Sequence, residues 1–334
     1  MSSIDTVSLR WQRDIPSDKD FRDEGWNPVY NSRFGNIEKW TNNNRGTNYP
    51  RLTWSQFTDR ESWLTAEFSA PYLIHGTNAV DADNLDISTA LDVVSEYTTL
   101  KTGIDCDSRT ALVGRIDYAA NFAVGADIIP FYLEAALDAK VSRLKPPRRE
   151  SETAVCVEGS ARKIQIYDKN ADVLNKIESG RLEGKSADIA REISRGVLRV
   201  ESRFKTTQWV KRLAKTLDVE RTPESMLNCE TAERVIAMEL EKLSLDKPIE
   251  SESARLDSLI ETFGGKASDL YGFLALRDRF GDEFYRFEHL GISKATYHRK
   301  VKELKAAGLW LSVASDRSLP ALSEFLQVRH QKAA

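Results

Sequence analysis

A chain of 334 residues that is 41% hydrophobic and 30% charged can bury a full core, divides into about two domains, and is not disordered. Its 48 Lys and Arg against 51 Asp and Glu give a net charge of -3, which excludes bulk positive charge as a source of nucleic-acid affinity and leaves only local patches. Three cysteines, Cys106, Cys156 and Cys229, are odd in number and lack CxxC spacing, which argues against a zinc module and for a reducing compartment. Neither the N-terminal MSSIDTVSLRWQRDIP nor any later run has the apolar length of a signal peptide or a membrane span, so the expectation is a soluble, cytoplasmic protein.

Ile4–Gln12 alternates Val7, Leu9 and Trp11 with Thr6, Ser8 and Arg10 and reads as an opening strand. Asp14–Pro50 is polar and aromatic-rich, with the NNNRGTN of Asn42–Asn48 as a loop. Leu64–Ser69 alternates again and sets Thr65, Glu67 and Ser69 on one face. Ser88–Leu100 has helical spacing through Ala90, Leu91, Val94 and Tyr97. In Leu112–Val124 the period of two puts Arg115 and Asp117 on one side and Leu112, Ile116 and Tyr118 on the other. The prolines of KPPRRESE make Pro146–Glu152 a surface connection.

Ala161–Lys169 groups Lys163, Gln165, Tyr167 and Lys169 opposite Ile164 and Ile166. Ser186–Arg195 reads as a helix capped by Ser186 that leads into a strand over Val197–Phe204, where Arg199, Glu201 and Arg203 oppose Leu198, Val200 and Phe204. Beyond about Leu217 the strand signal stops. Pro223–Leu245 opens a helix with Thr222 as N-cap, and Gly264-Gly265 ends the next element. The expected architecture is α+β: an antiparallel-rich sheet domain over residues 1–216 and a helical domain over 217–334.

The content of the three polar rows is unusual for a solvated sheet face. They hold two carboxylates, several cations and one phenol, the groups that phosphodiester transfer through a tyrosine requires. A phenol has a reference pKa of about 10, so attack by Tyr167 needs help, which Lys163 and Lys169 could give by favouring the phenolate and holding the phosphate. The plainer reading is an ordinary strand tyrosine beside exposed lysines. Asp117 and Glu201 are the best candidate metal ligands, with Glu67 a third and Glu158 a weaker fourth. Oxygen ligands without a histidine suit Mg²⁺ or Mn²⁺. The competing reading pairs Arg115 with Asp117 and Glu201 with Arg199 or Arg203 as salt bridges. His75, His289, His298 and His330 show no HxH or HxxxH spacing, which disfavours a histidine-ligated metal.

Phe287–Leu311 has the form of a helix-turn-helix: a short helix ends near Leu290, Gly291 turns, Ser293 caps a second helix to about Ala307, and Gly308 stops it. Tyr297, Val301 and Leu304 point inward, while Lys294, His298, Arg299, Lys302 and Lys305 point out. Gly291–Lys305 carries five Lys or Arg against one acid, so this helix is either a major-groove reader or a basic amphipathic helix with no partner.

In this order the pieces resemble the gene II/X family of filamentous-phage replication initiators, which are rolling-circle nicking enzymes. The stretches that carry the resemblance are IDTVSLR (Ile4–Arg10), AEFSAPYLIHGTN (Ala66–Asn78), GRIDYAANF (Gly114–Phe122), EGSARKIQIYDK (Glu158–Lys169), GVLRVESRFK (Gly196–Lys205) and GISKATYHRKVKELKAAGL (Gly291–Leu309). The segment 210–280 shows no match, and the paired histidines of the larger rolling-circle superfamily are missing. The resemblance implies that Tyr167 is the nucleophile, forming a 5′-phosphotyrosine and freeing a 3′-OH. It implies that Asp117 and Glu201 are site residues and that Lys169 contacts phosphate. Arg115, Arg199 and Arg203 would then grip unpaired DNA, and Lys294, Arg299 and Lys302 the duplex origin. A bacterial host would supply helicase and polymerase, since no Walker loop is present. A non-catalytic origin-binding regulator, or a tyrosine relaxase or transposase, are the alternatives.

Overall fold

Strand β1 (Ser2–Gln12) is buried along nearly its whole length, because it runs through the middle of the fold with a strand on each edge. The structure is a computed structural model and describes residues 2–13, 25–30, 37–42, 48–58, 61–139, 141, 144–280, 284–287, 290–310, 312–313 and 318–327. After β1 come β2 (Trp26–Tyr30), β3 (Ile37–Asn42), β4 (Arg51–Thr58) and β5 (Glu61–Ser69), then helices α1 (Ala70–His75) and α2 (Asn84–Thr102). Next are β6 (Leu112–Ala123), α3 (Ile129–Leu137), β7 (Arg148–Ser151), β8 (Ala154–Glu158), β9 (Arg162–Asp168), α4 (Lys169–Glu178), α5 (Gly184–Ile193) and β10 (Val197–Phe204). The chain continues through α6 (Thr207–Leu217), α7 (Pro223–Met226), α8 (Cys229–Leu243), β11 (Glu250–Ser251), α9 (Glu252–Phe263), α10 (Ala267–Phe280), α11 (Lys294–Ala307), β12 (Ser312–Val313) and α12 (Leu322–Gln327).

Ten strands form one sheet in the order β2-β3-β4-β5-β1-β6-β10-β9-β8-β7, and every neighbouring pair is antiparallel. The three strands with polar rows, β6, β10 and β9, are therefore side by side. One face is apolar: Ile4, Val7, Ile116, Tyr118, Val155, Ile164, Ile166, Leu198 and Val200 join the main core there. Helices α6, α7, α8 and α12 pack on this side, α8 lying against β1, β6 and β10. The Tyr118 hydroxyl donates to the Met226 carbonyl at 3.0 Å, so the chain on both sides of residue 217 belongs to the layer covering the sheet. The opposite face carries the polar rows, and α4 covers part of it against β9 and β10. A second small core of Ala79, Val173, Leu182, Ala187 and Ala190 holds α4 and α5 together.

Several expected elements shift. A register change between Ser8 and Leu9 places a bulge at Gly114, so Val113 rather than Leu112 turns into the core. A Cβ at Gly114 would come within 2.5 Å of the Arg10 side chain, which is why the bulge has no side chain. Strand β9 ends at Asp168, whose carboxylate accepts from the Asn170 and Ala171 amides at 2.8 and 3.4 Å, so Lys169 begins a helix instead of continuing the strand. Helix α5 starts at Gly184 with Glu183 before it, not at Ser186. The expected Pro223–Leu245 helix is two: Thr222 caps α7, and Asn228 caps α8 by accepting from the Thr231 amide at 2.8 Å. The surface connection at 146–152 contains β7, an exposed edge strand, and the polar stretch before Pro50 contains β2 and β3. Beyond Leu217 the strands β11 and β12 pair in parallel, each too short to show a period of two. Residues 43–47 of the expected loop, His289, Leu311 and His330 lie outside the described residues.

Helix α11 begins with Ser293 accepting from the Thr296 amide at 3.1 Å and ends at Gly308 with φ of 78°. Tyr297 packs edge-on against Phe284, and both touch Phe273 of α10. Of the expected short helix ending near Leu290, residues 288–289 lie outside the described residues, and a 3-10 turn over Phe284–Arg286 precedes it. Among the described residues no helix is long and apolar enough to cross a membrane.

Glu239 of α8, buried in the core, forms an ion pair with Arg162 at the start of β9. Removing one partner strands a buried charge, so Glu239→Ala should lower stability to urea by about 3–5 kcal/mol. The double change Arg162→Met with Glu239→Leu should recover most of that loss.

Candidate functional site

Cross-strand register builds the polar face. Arg203 lies opposite Asp117 on β6 and Lys163 on β9; Arg199 lies opposite Asn121 and Tyr167; Glu201 lies opposite Ala119 and Gln165. Tyr167 is almost wholly buried, yet it lines an open cleft of about 380 Å³ together with Asp5, Glu150, Gln165, Lys176, Glu201 and Arg203. Its hydroxyl donates to Glu201 Oε2 at 3.4 Å, and the Lys169 ammonium lies 5.7 Å from its ring centroid. Burial drives the phenol well above its ordinary pKa, with Arg199 opposing and Glu201, Asp172 and Asp5 adding to the rise. The phenol is therefore protonated at neutral pH and needs a base to act as a nucleophile. Glu201 is in place for that. Its two oxygens also accept from Arg203 at 2.8 and 3.1 Å, which holds the carboxylate toward the phenol.

Behind the tyrosine stands a buried charge network. Arg199, with 1% of its side chain exposed, reaches Asp5 Oδ2 at 3.1 Å and donates to Asn121 Oδ1 at 3.2 Å and the Asn78 carbonyl at 3.4 Å. Lys169 Nζ donates to Asn78 Oδ1 and Asp172 Oδ2, both at 2.9 Å, and Lys176 Nζ reaches the same two atoms at 3.1 and 2.9 Å. Asn78 in turn donates to Asp5 at 3.3 Å. Burial pulls Lys169 down to about 8, helped by Arg199 and Lys176 and resisted by Asp172. Burial would raise Asp5, but Arg199, Lys169 and Lys176 outweigh it and hold the carboxyl below its usual value.

The remaining expected site residues are placed differently from one another. Arg199 has no surface from which to grip DNA and can act only from beneath Tyr167. Lys163 is four residues from Tyr167, roughly 13 Å along the strand, and its ammonium is held by Glu150 at 2.7 and 3.0 Å. Asp117 is bound by Arg115 through two hydrogen bonds of 3.2 and 2.6 Å. Glu67 meets Arg115 and Arg51, each at 3.3 Å, and Glu158 meets Lys205 and Arg148. Among the described residues no three His, Cys, Asp or Glu side chains are grouped as a metal-binding set. Each carboxylate expected to hold Mg²⁺ or Mn²⁺ is instead neutralised by an arginine, so the donors present do not form a ready ligand set. On α11, Lys294, Arg299 and Lys302 are exposed, with Arg299 lying 3.7 Å from Glu303. His75 pairs with Asp86 at 3.0 Å, away from any metal-ligand grouping.

In comparisons with known proteins, no family model, no curated protein and no solved structure matches this chain.

Asp5, Asn78, Asp172, Lys176 and Glu150 complete the site, and the strand pattern gave no sign of four of them. Asn78 lies in a loop, Asp172 and Lys176 on a helix face, and Glu150 on an edge strand without apolar alternation. Asp5 had one signal: it is a lone carboxylate among buried positions of β1, displaced onto the polar face by a bulge between Ile4 and Thr6.

Burial pushes the Asp117 carboxyl up to about 6 against the pull of Arg115. A carboxyl whose folded pKa is raised favours the folded protein when protonated, so this stability is present below about pH 4 and is lost as pH rises through about 6. Asp117→Asn removes that dependence. Urea unfolding should show the variant gaining on the order of 2–3 kcal/mol relative to wild type between about pH 4 and about pH 7, beyond any constant offset from weaker bonding to Arg115.

Proposed function

We propose that this chain initiates rolling-circle replication by nicking and closing DNA through Tyr167. The observation that carries the reading is the phenol itself, which faces a polar cleft and donates a hydrogen bond to Glu201. A tyrosine that served only the core would have no need of a carboxylate acceptor backed by an arginine. Motif stretches in family order supply the substrate class, since they resemble the filamentous-phage initiators.

In the proposed reaction a single strand crosses the cleft and its scissile phosphate sits over Tyr167. Glu201 takes the phenolic proton as the oxygen attacks phosphorus, and the bond to the 3′ oxygen breaks. That oxygen leaves as a 3′-OH with a proton from solvent, and the 5′ phosphate stays on the tyrosine. Arg203, partly exposed beside Glu201, lines the cleft where charge would develop on the phosphate, while buried Arg199 favours the phenolate from beneath. The phosphotyrosine keeps the energy of the phosphodiester, so the reverse attack closes the circle without a nucleotide cofactor. Exposed Lys294, Arg299 and Lys302 on α11 would hold the duplex origin, and host helicase and polymerase would do the unwinding and synthesis. For Mg²⁺ or Mn²⁺ to bind at Asp117 and Glu201, the arginines must release these carboxylates.

The paired state of Asp117 and Glu201 favours a second reading, a non-catalytic origin-binding regulator. One assay separates the two: incubation with the supercoiled replicon that carries this gene, with and without divalent cation, scored for open circles bearing detergent-resistant protein. Covalent protein supports the nickase, and duplex binding without an adduct under either condition overturns it.

Tyr167→Phe should abolish the adduct and leave duplex binding within a few-fold of wild type. Glu201→Gln should slow adduct formation by roughly two orders of magnitude, the scale of a lost general base. Reversing the charge of Arg299 and Lys302 together should weaken duplex binding and flatten its salt dependence, while cleavage of a single-stranded oligonucleotide persists.

A further inference from the structure

Next to the Tyr167 cleft lies a larger one of about 610 Å³, and Lys176 lines both. Its walls include Tyr49, Arg51, Glu67, Tyr72 and Arg181. Nothing in the chemistry at Tyr167 uses this space. Tyr49 is 56% exposed. It is also braced: its ring stacks on Tyr97 with centroids 5.2 Å apart and planes 18° from parallel. Around it stand three cations, Arg51, Lys176 and Arg181, against one carboxylate, Glu67. Arg51 and Arg181 are exposed, Arg51 while it lies 3.3 Å from Glu67, whereas Lys176 is tied to Asp172 and Asn78.

A supported aromatic face bordered by exposed guanidinium groups matches one ligand chemistry closely, a flat base between two phosphates. We propose that this cleft is a nucleobase pocket, in which an unstacked base of single-stranded DNA lies on Tyr49 while Arg51 and Arg181 contact the flanking phosphates. The proposal rests on the nicking reading for the DNA that reaches it and adds a grip on a nucleotide beside the scissile phosphate. Because Lys176 separates the two clefts, a strand that fills one passes directly into the other. Base stacking tolerates any sequence, so the pocket fixes the strand in position without reading it.

The test uses the full chain and two fluorescent probes of equal length and charge, oligodeoxythymidylate and an abasic sugar-phosphate strand, with affinity read by anisotropy. Wild type should prefer the strand with bases. Tyr49→Ala should weaken oligodeoxythymidylate binding roughly tenfold, as expected for one lost stacking platform, and leave the abasic strand within about twofold. Tyr49→Trp should restore the preference, which a merely misfolded variant could not do. Equal losses on both probes, or no loss on either, overturn the pocket. Adduct formation is scored with the same protein preparations on the supercoiled replicon: an adduct there with Tyr49-independent strand binding overturns the pocket alone. Base-dependent binding through Tyr49 without any adduct overturns the nicking reading and keeps the pocket as a single-strand site.

Discussion

The ion pair between Asp5 and Arg199 is the contact on which the polar face depends. It joins β1 to β10 across the intervening β6, where Ala119 is too small to obstruct it. Both partners are buried, and a buried charge left alone costs far more than the pair contributes, so each fixes the other. From Asp5 the bonding runs through Asn78 to Lys169 and Lys176, and from Arg199 it runs to Asn121. Tyr167 lies on the next strand, opposite Arg199. Tyr167 is thus seated beside a buried network of paired charges.

Where an element is half-buried, its sequence announces it. Val197–Phe204 alternates cleanly and β10 has those bounds, since one face meets the core and the other meets the polar network. Lys169 shows the limit of that reasoning. Period alone extends the strand through it, but the Asp168 cap turns the chain into a helix at that point, and Lys169 reaches the site from a helix end. Strand β7 is exposed on both faces and β8 is buried over its first four residues, so neither carries an alternation to detect. Asn78 comes from a loop, where no period operates.

The carboxylates show the same division. Sequence left Asp117 and Glu201 open between metal ligation and salt bridging, because a carboxylate and an arginine two residues apart on a strand share one face in either case. In the folded chain that spacing becomes bidentate pairing within β6 and within β10. A row of alternating charge on one strand is therefore enough to place charge on a sheet face and neutralise it locally. It explains how a face dense in ionisable groups persists in a chain of nearly balanced composition.

The central place of β1 also sets the order in which the molecule can be made. Of the described strands, the earliest in sequence is the one that must finally lie between β5 and β6, and its Asp5 meets Arg199 only after the hairpins, α4 and α5 have been synthesised. Pairings this distant in sequence form slowly, and β1 stays without one of its edges until β6 arrives. Tyr167 and the charges around it come together only once β10 has been made. A chain interrupted between β9 and β10 carries Tyr167 but neither Arg199 nor Glu201, the carboxylate that accepts from its hydroxyl.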